Sequence, residues 1–199
     1  MIASLDAVIF AGGKSSRMGE DKALLPFAGY STLAEFQHSR LSKLFKHVAI
    51  SAKENKFDFD CVVIEDIHKE HSPLVGIISI FETLQVEEVF ILSVDAPFVG
   101  SDTIEKILRC NENDSDVVIA QSPSGIQPLC GLYKKSILPF AQQQLEKNNH
   151  RLRDLLRLVN TEYVKFEEDL PFTNLNHPEE YQEALKGISN NIGDPLMRF

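Results

Sequence analysis

The sequence is short of cysteine, short of basic residues and without a long apolar run, and each shortage removes a class of function. Cys61, Cys110 and Cys130 are its three thiols; they form no CxxC pair and have no companion histidine cluster. Neither a zinc site nor a disulfide framework is expected. Lys and Arg number 20 against 29 Asp and Glu, for a formal charge of −9. Such a chain has no general attraction to nucleic acid or to an anionic membrane, so any phosphate site in it must be local. Nowhere do about 18 apolar residues run together. The apolar stretch at residues 2–10 contains Asp6 and has no basic leader, so a cytoplasmic protein without signal peptide or membrane span is expected. The six histidines read as surface or packing residues; His68 and His71 are close in sequence but lack further ligands for a metal.

What the sequence does hold is an alternation of short β-branched or aliphatic runs with longer helical patterns, with no repeat and no low-complexity linker. That alternation builds a parallel sheet covered by helices. The expected fold class is therefore α/β, a three-layer Rossmann-like architecture with a mostly parallel sheet and helices on both faces. One domain is expected over residues 1–187, with a tail at 188–199. Strands are expected at residues 5–11, 48–51, 61–64, 89–94, 117–120, 129–133 and 163–166. Helices are expected at 32–45, 74–84, 102–109 with Ser101 as N-cap, 136–147, 151–159 and 179–185.

In sheets of this kind ligands bind beyond the carboxyl ends of the strands. Directly after the first strand comes AGGKSSRMGEDK, residues 11–22, with three glycines and three fixed positive charges beside its acids. Gly12 and Gly13 can bring backbone N–H groups close to an anion, and Arg17 and Lys22 can add mobile charge. The spacing is neither that of a Walker loop nor that of the dinucleotide GxGxxG turn. Asp95 follows the apolar run VFILSV, residues 89–94 with Glu88 before it, so its carboxylate should project from a strand end into the ligand crevice. An oxygen ligand there suits Mg²⁺, which binds through one or two carboxylates plus substrate phosphates. Asp66 ends the preceding short apolar run in the same way. Read structurally instead, the glycines are a turn and the two aspartates accept local backbone hydrogen bonds.

The segment AGGKSSRMGEDKALLPFAG, residues 11–29, closely resembles the signature of the GT-A-like nucleotidyltransferases, in particular the molybdenum cofactor guanylyltransferases. Matches continue in order with VIEDIHKEHSPLVGI (63–77), LSVDAPFV (92–99), QPLCGLY (127–133) and FTNLNHPEEY (172–181). The resemblance implies an Mg²⁺-dependent reaction in which GTP and molybdopterin or Mo-molybdopterin give the guanine dinucleotide form and pyrophosphate. It also implies maturation proteins of molybdoenzymes as further partners. It places Phe10, Ala11 and Gly12 against the nucleotide, where the family usually has Leu-Ala-Gly, and makes Lys22 the phosphate-binding lysine. By the same resemblance Asp66 contacts the nucleotide and Asp95 holds the metal. Ser51 stands where some relatives have a base-contacting Asn, and one hydroxyl cannot repeat the paired contacts of an amide. For the acceptor, the resemblance points to Gln127 in the QPL segment and to Asn174 and Asn176, which two-residue alternation would put on one strand face. Arg151 and Arg153 are candidates for a bulky anionic pterin phosphate. The other readings are CTP transfer to molybdopterin, activation of a sugar phosphate, and a nucleotide-binding regulatory module without turnover.

Overall fold

In the computed structural model of the chain, residues 5–12, 20–68, 72–111 and 114–190 are described. Seven strands lie in one sheet among these residues, in the order β3-β2-β1-β4-β6-β5-β7. They are β1 (Asp6–Phe10), β2 (Val48–Ala52), β3 (Val62–Glu65), β4 (Glu88–Ser93), β5 (Val117–Ser122), β6 (Gly125–Lys134) and β7 (Thr161–Lys165). β6 alone of these runs against its neighbours; β1, β2, β3 and β4 pair in parallel, as do β5 and β7. The expected mostly parallel α/β sheet is what the chain forms.

The helices are α1 (Leu33–Leu41), α2 (Pro73–Leu84), α3 (Ser101–Arg109), α4 (Leu138–Glu146), α5 (Leu152–Leu158) and α6 (Pro178–Asn190). Successive strand residues point to opposite faces, and β1 shows it: Ala7 and Ile9 pack with α1, α3 and α6, whereas Val8 and Phe10 pack with α2, α4 and α5. Two apolar layers result, one on each side of the sheet. On one side sit Leu33, Phe36, Ile104, Ile107 and Ala184; on the other, Ile77, Phe81, Ala141, Leu155 and Leu156.

Several boundaries differ from expectation for identifiable reasons. α1 stops at Leu41 because Lys43 and Leu44 donate to Arg40 and Leu41 one turn back, tightening the end into turns before Phe45. The cap of α3 is Gly100, with no side-chain hydrogen bond, and Ser101 is its first helical residue. α4 begins at Leu138, where Pro139 fits the first turn, and the residues before it form a short 3-10 turn. α6 runs to Asn190, into the expected tail, and residues 191–199 lie outside the described residues.

The largest difference is β6. A strand was expected at 129–133, but ten residues pair, joined to β5 by a tight hairpin at Pro123 and Ser124. Gly131 opposes Ile119 while Gln127 opposes Ala120, so the three residues between them on β6 bulge outward. Proline cannot donate to a ladder and is tolerated in strands at such bulges. Pro128 occupies this one, and its carbonyl accepts a hydrogen bond from the buried Tyr133 hydroxyl.

Phe10 is 4 % exposed, its ring turned into the layer beneath α2. There α2 carries Gly76, and a Cβ at that position would lie 2.2 Å from Phe10 Cζ and 2.7 Å from Cε2. Gly76→Ala is therefore expected to destabilise the protein by about 1–3 kcal/mol through overpacking. Adding Phe10→Leu should recover most of that loss in urea unfolding. An unchanged midpoint in Gly76→Ala would show that the ring does not set the approach of α2.

Candidate active site

The sheet order reverses direction between β1 and β4: β2 and β3 continue to one side of β1, whereas β4 lies on the other. Loops leaving two such neighbours part from each other and open a crevice at their carboxyl ends. The backbone pairing reaches that point without a break, with Ala11 N donating to Ser51 O (2.9 Å) and Val94 N to Phe10 O (3.0 Å).

Across the crevice Lys22 meets Asp95. At the end of the glycine-containing segment of sequence, Asp21 caps a single 3-10 turn, Lys22–Leu24, by accepting from Ala23 N at 3.0 Å. That turn points the Lys22 ammonium at Asp95 Oδ2, 2.7 Å away, and at Asn176 Oδ1, 3.0 Å away. The other carboxylate oxygen of Asp95 accepts from Ser93 Oγ at 2.6 Å. With side chains 16 % and 17 % exposed, the lysine and aspartate are largely withdrawn from water, which strengthens their attraction.

Two clefts flank this pair. The first, about 520 Å³, is lined by Phe10, Ala11, Gly12, Asp21, Lys53, Glu54, Lys56, Asp66, Ser72 and Pro73. The second, about 500 Å³, includes Asp95, Gln127, Pro128, Leu129, His150, Arg151, Arg153 and Asn174, and Pro73 lines it too. Pro73 opens α2, and Ser72 caps that helix by accepting from Val75 N at 3.3 Å. Ser72 Oγ also lies 3.0 Å from His150 Nδ1, tying the wall of the first cleft to the turn that carries the arginines of the second.

Lys22, Asp95 and Asn176 thus come into direct contact, and Ala11, Gly12 and Asp66 share the first cleft. Gln127, Arg151, Arg153 and Asn174 share the second. The bulge explains how four consecutive β6 residues, from Gln127 to Cys130, all reach one cleft. Gly13, Arg17 and His71 lie outside the described residues. Asn174 and Asn176 are not on a strand: the segment between Phe172 and Pro178 is irregular, which lets Asn176 turn to Lys22 while Asn174 lines the second cleft. Asn176 and His177 donate through their backbone N–H groups to Glu180 Oε2 at 2.6 and 2.8 Å, closing the start of α6. Ser51 is 1 % exposed on β2.

Lys56 was missed in the sequence. Its ammonium bonds Asp21 and lies 3.4 Å from Ala11 O, inside the first cleft. The signal was available, because residues 53–56 follow β2, and the carboxyl end of that strand borders the same crevice. Among the described residues no group of three or more His, Cys, Asp or Glu gathers as a metal cluster, and no helix is long and apolar enough to cross a membrane. All three cysteines are free thiols.

Residues 7–166 match the family model described as a MobA-like NTP transferase domain. The chain belongs to that family. It is 40% identical over 181 residues to the molybdenum cofactor guanylyltransferase of Campylobacter jejuni, covering 90% of this chain and 94% of the relative. The protein of the same name in Helicobacter pylori is 36% identical over 191 residues, with 94% of each chain covered. Among solved structures, the molybdopterin-guanine dinucleotide biosynthesis protein A of Archaeoglobus fulgidus superimposes with a TM-score of 0.81 over 94% of this chain and all of that one, at 19% identity. The fold and the nucleotidyltransferase family agree, and this chain is an enzyme of the transferase class.

For this family member, Lys22→Ala should fold, because the residue sits in a turn at the crevice rather than in either apolar layer. Its kcat/KM for the nucleoside triphosphate should fall by about 10²-fold, the scale of losing one preorganised charge-stabilising group. Circular dichroism and steady-state kinetics check this together. A collapse of thermal stability with normal kinetics in the remaining folded protein would make Lys22 structural.

Proposed function

We propose that this protein is a cytoplasmic molybdenum cofactor guanylyltransferase that transfers GMP from GTP to molybdopterin, forming molybdopterin guanine dinucleotide and pyrophosphate. The observation that carries the reading is a pair of clefts that share Pro73, with Asp95 lining one, Asp21 lining the other, and the Lys22 ammonium, next in sequence to Asp21, on Asp95. One is bordered by the first part of the glycine-containing loop, and the other holds two arginines that suit an anionic acceptor. The names of the relatives at 36–40% identity point to the same reaction.

In this reading Ala11, Gly12, Lys56 and Asp66 border the nucleotide, and Arg151, Arg153, Gln127 and Asn174 receive the pterin phosphate. A terminal phosphate oxygen of the acceptor attacks the α-phosphorus. The new P–O bond forms as the bond between the α-phosphorus and the α,β-bridging oxygen breaks, and pyrophosphate leaves with that oxygen and its electron pair. The attacking phosphate is already largely ionised near neutral pH, its second pKa lying near 6, so the reaction needs positioning and charge neutralisation more than a general base. Lys22 meets this need by exchanging Asp95 for phosphate oxygens.

Asp95 is the residue that would hold Mg²⁺. A single carboxylate beside open space for substrate phosphates fits a hard cation that keeps several waters. Bound there, the ion would neutralise phosphate charge and polarise the reacting phosphorus. Asp95 is held for that task from both sides, through Ser93 Oγ and Lys22.

Purified protein incubated with molybdopterin, Mg²⁺ and each common triphosphate should give dinucleotide and pyrophosphate best with GTP. Tenfold higher catalytic efficiency with CTP would replace the guanylyl reading by a cytidylyl one. Asp95→Asn keeps the side-chain volume and should remain folded, with GTP bound weakly and turnover lower by about 10²–10³-fold. Wild-type turnover with an unchanged Mg²⁺ requirement in that variant would remove Asp95 from the metal site.

A further inference from the structure

We infer that Gln37 and Arg40, on α1 and out of reach of either cleft, are positioning residues that fix the loop 93–97 and so set the place of the Asp95 carboxylate. The inference rests on the reading of Asp95 as the metal-holding residue.

Both side chains are buried where α1 faces an apolar layer, at 0 % and 2 % exposure. An amide and a guanidinium are poor choices for such a place unless their hydrogen bonds are needed. Gln37 Nε2 donates to Val94 O at 3.1 Å and to Ser93 O at 3.4 Å, and Arg40 Nη1 donates to Pro97 O at 3.0 Å. The three carbonyls bracket Asp95. They occur where β4 ends and the sheet no longer supplies ladder partners. From the other side, Leu175 N donates to the carbonyl of Asp95 itself at 2.9 Å. The loop is thus clamped between α1 and the segment that delivers Asn176 to Lys22.

The clamp is held at the expense of stability. Gln37 Oε1 is buried with no hydrogen-bond partner among the described residues. Burial, opposed only in part by Cys130, pulls the Arg40 guanidinium down to about 9. A base whose folded-state value is depressed destabilises the fold below that value, and the cost is relieved only as pH rises toward the unfolded arginine's own range. At neutral pH the cost is therefore fully present. A residue kept under those terms, with its donor aimed at a carbonyl two residues from Asp95, is explained by the geometry it enforces. Misplacing a reacting or metal-holding group by about 1 Å can lower turnover by about 10²-fold.

The test compares Gln37→Leu, Arg40→Met and Arg40→Lys with Phe81→Leu, a core substitution on the other side of the sheet. Mn²⁺ binding is followed by electron paramagnetic resonance with GTP present and acceptor absent, so that no turnover contributes. Mg²⁺-dependent kinetics are measured separately. Gln37→Leu and Arg40→Met should weaken Mn²⁺ binding about fivefold to tenfold and lower kcat about tenfold, with KM for GTP within about twofold of wild type. Arg40→Lys, which keeps a cation and a donor, should recover most of the loss. Phe81→Leu should lower the melting temperature while leaving Mn²⁺ affinity unchanged. If Gln37→Leu does not fold, Gln37→Asn, which withdraws the amide by one methylene, is expected to show the same pattern. Wild-type Mn²⁺ affinity and kcat in the Gln37 and Arg40→Met variants would overturn the inference, as would an equal loss in Phe81→Leu. Equal losses in Arg40→Met and Arg40→Lys would remove Arg40 from it. Failure of the wild-type protein to bind Mn²⁺ with GTP would instead overturn the functional reading on which the inference rests.

Discussion

The contact between the Lys22 ammonium and the Asp95 carboxylate constrains three distant parts of the chain at once. Lys22 and Asp95 are 73 residues apart, and Asn176, the second acceptor of the same ammonium, is 154 residues from Lys22. No local propensity brings them together. The sheet does, by setting β1 beside β4, so that the loop after one strand and the loop after the other leave at the same crevice. The irregular run before α6 then crosses the end of β4, with Leu175 N on Asp95 O holding it there. Because neither charge is well exposed, each is balanced by the other, and the topology that brings them together also opens the crevice beside them.

Short range and long range separate what was legible in the sequence from what was not. β1 and β4 are buried on both faces, so their near-continuous apolar runs identify them, and an acidic or glycine-containing segment right after each marks the crevice. The β5–β6 hairpin was obscured by its own chemistry. Pro128 breaks the apparent run at the point where the strand bulges, so only residues 129–133 look like a strand. The alternation of Asn174 and Asn176 suggested a shared strand face, but backbone bonds from residues 176 and 177 to Glu180 make the segment a helix entry instead. Lys56 carries no motif; its importance depends on Asp21, 35 positions away, which only the folded chain brings near. Gln37 and Arg40 fall at helical spacing on the face of α1 that Leu33, Phe36 and Leu41 bury, but the carbonyls they reach, on Val94 and Pro97, are each 57 positions away and only the folded chain brings them near.

Local charge resolves the apparent conflict between a chain of net charge −9 and a role with polyanionic substrates. Two lysines stand at the crevice, each matched to an acid, Lys22 with Asp95 and Lys56 with Asp21. Asp21 and Lys22 are consecutive, so one short turn links the ion pair in the first cleft to the ion pair beside the second. A phosphate that draws either lysine away leaves a carboxylate uncompensated. For Asp95, in the proposed reading, a divalent cation would restore the balance, so phosphate and metal would favour each other's arrival. Binding one without the other leaves a partly buried charge alone, a state that is unfavourable in either direction.

In the proposed reading, where the nucleotide occupies the first cleft, the nucleobase is subject to a different limit. Ser51 is shielded on β2 and lines neither cleft, and Phe10, which lines the first, has no hydrogen-bonding group with which to read a base edge. The polar groups left there belong to Ala11 and Gly12, to Lys53, Glu54 and Lys56 after β2, and to Asp21, Asp66 and Ser72. Guanine presents two adjacent donors on its pairing edge and acceptors at O6 and N7. A lining with the carboxylates of Glu54 and Asp66 beside the ammonium groups of Lys53 and Lys56 has the polarity to meet both. Cytosine, with one amino donor beside ring acceptors, would leave more of those carboxylate oxygens without a partner from the base, and a site built to hydrogen-bond one base discriminates against another that leaves such bonds unmade. On the proposed guanylyl reading, selection of the base would rest on these groups and would not have to pass through Ser51.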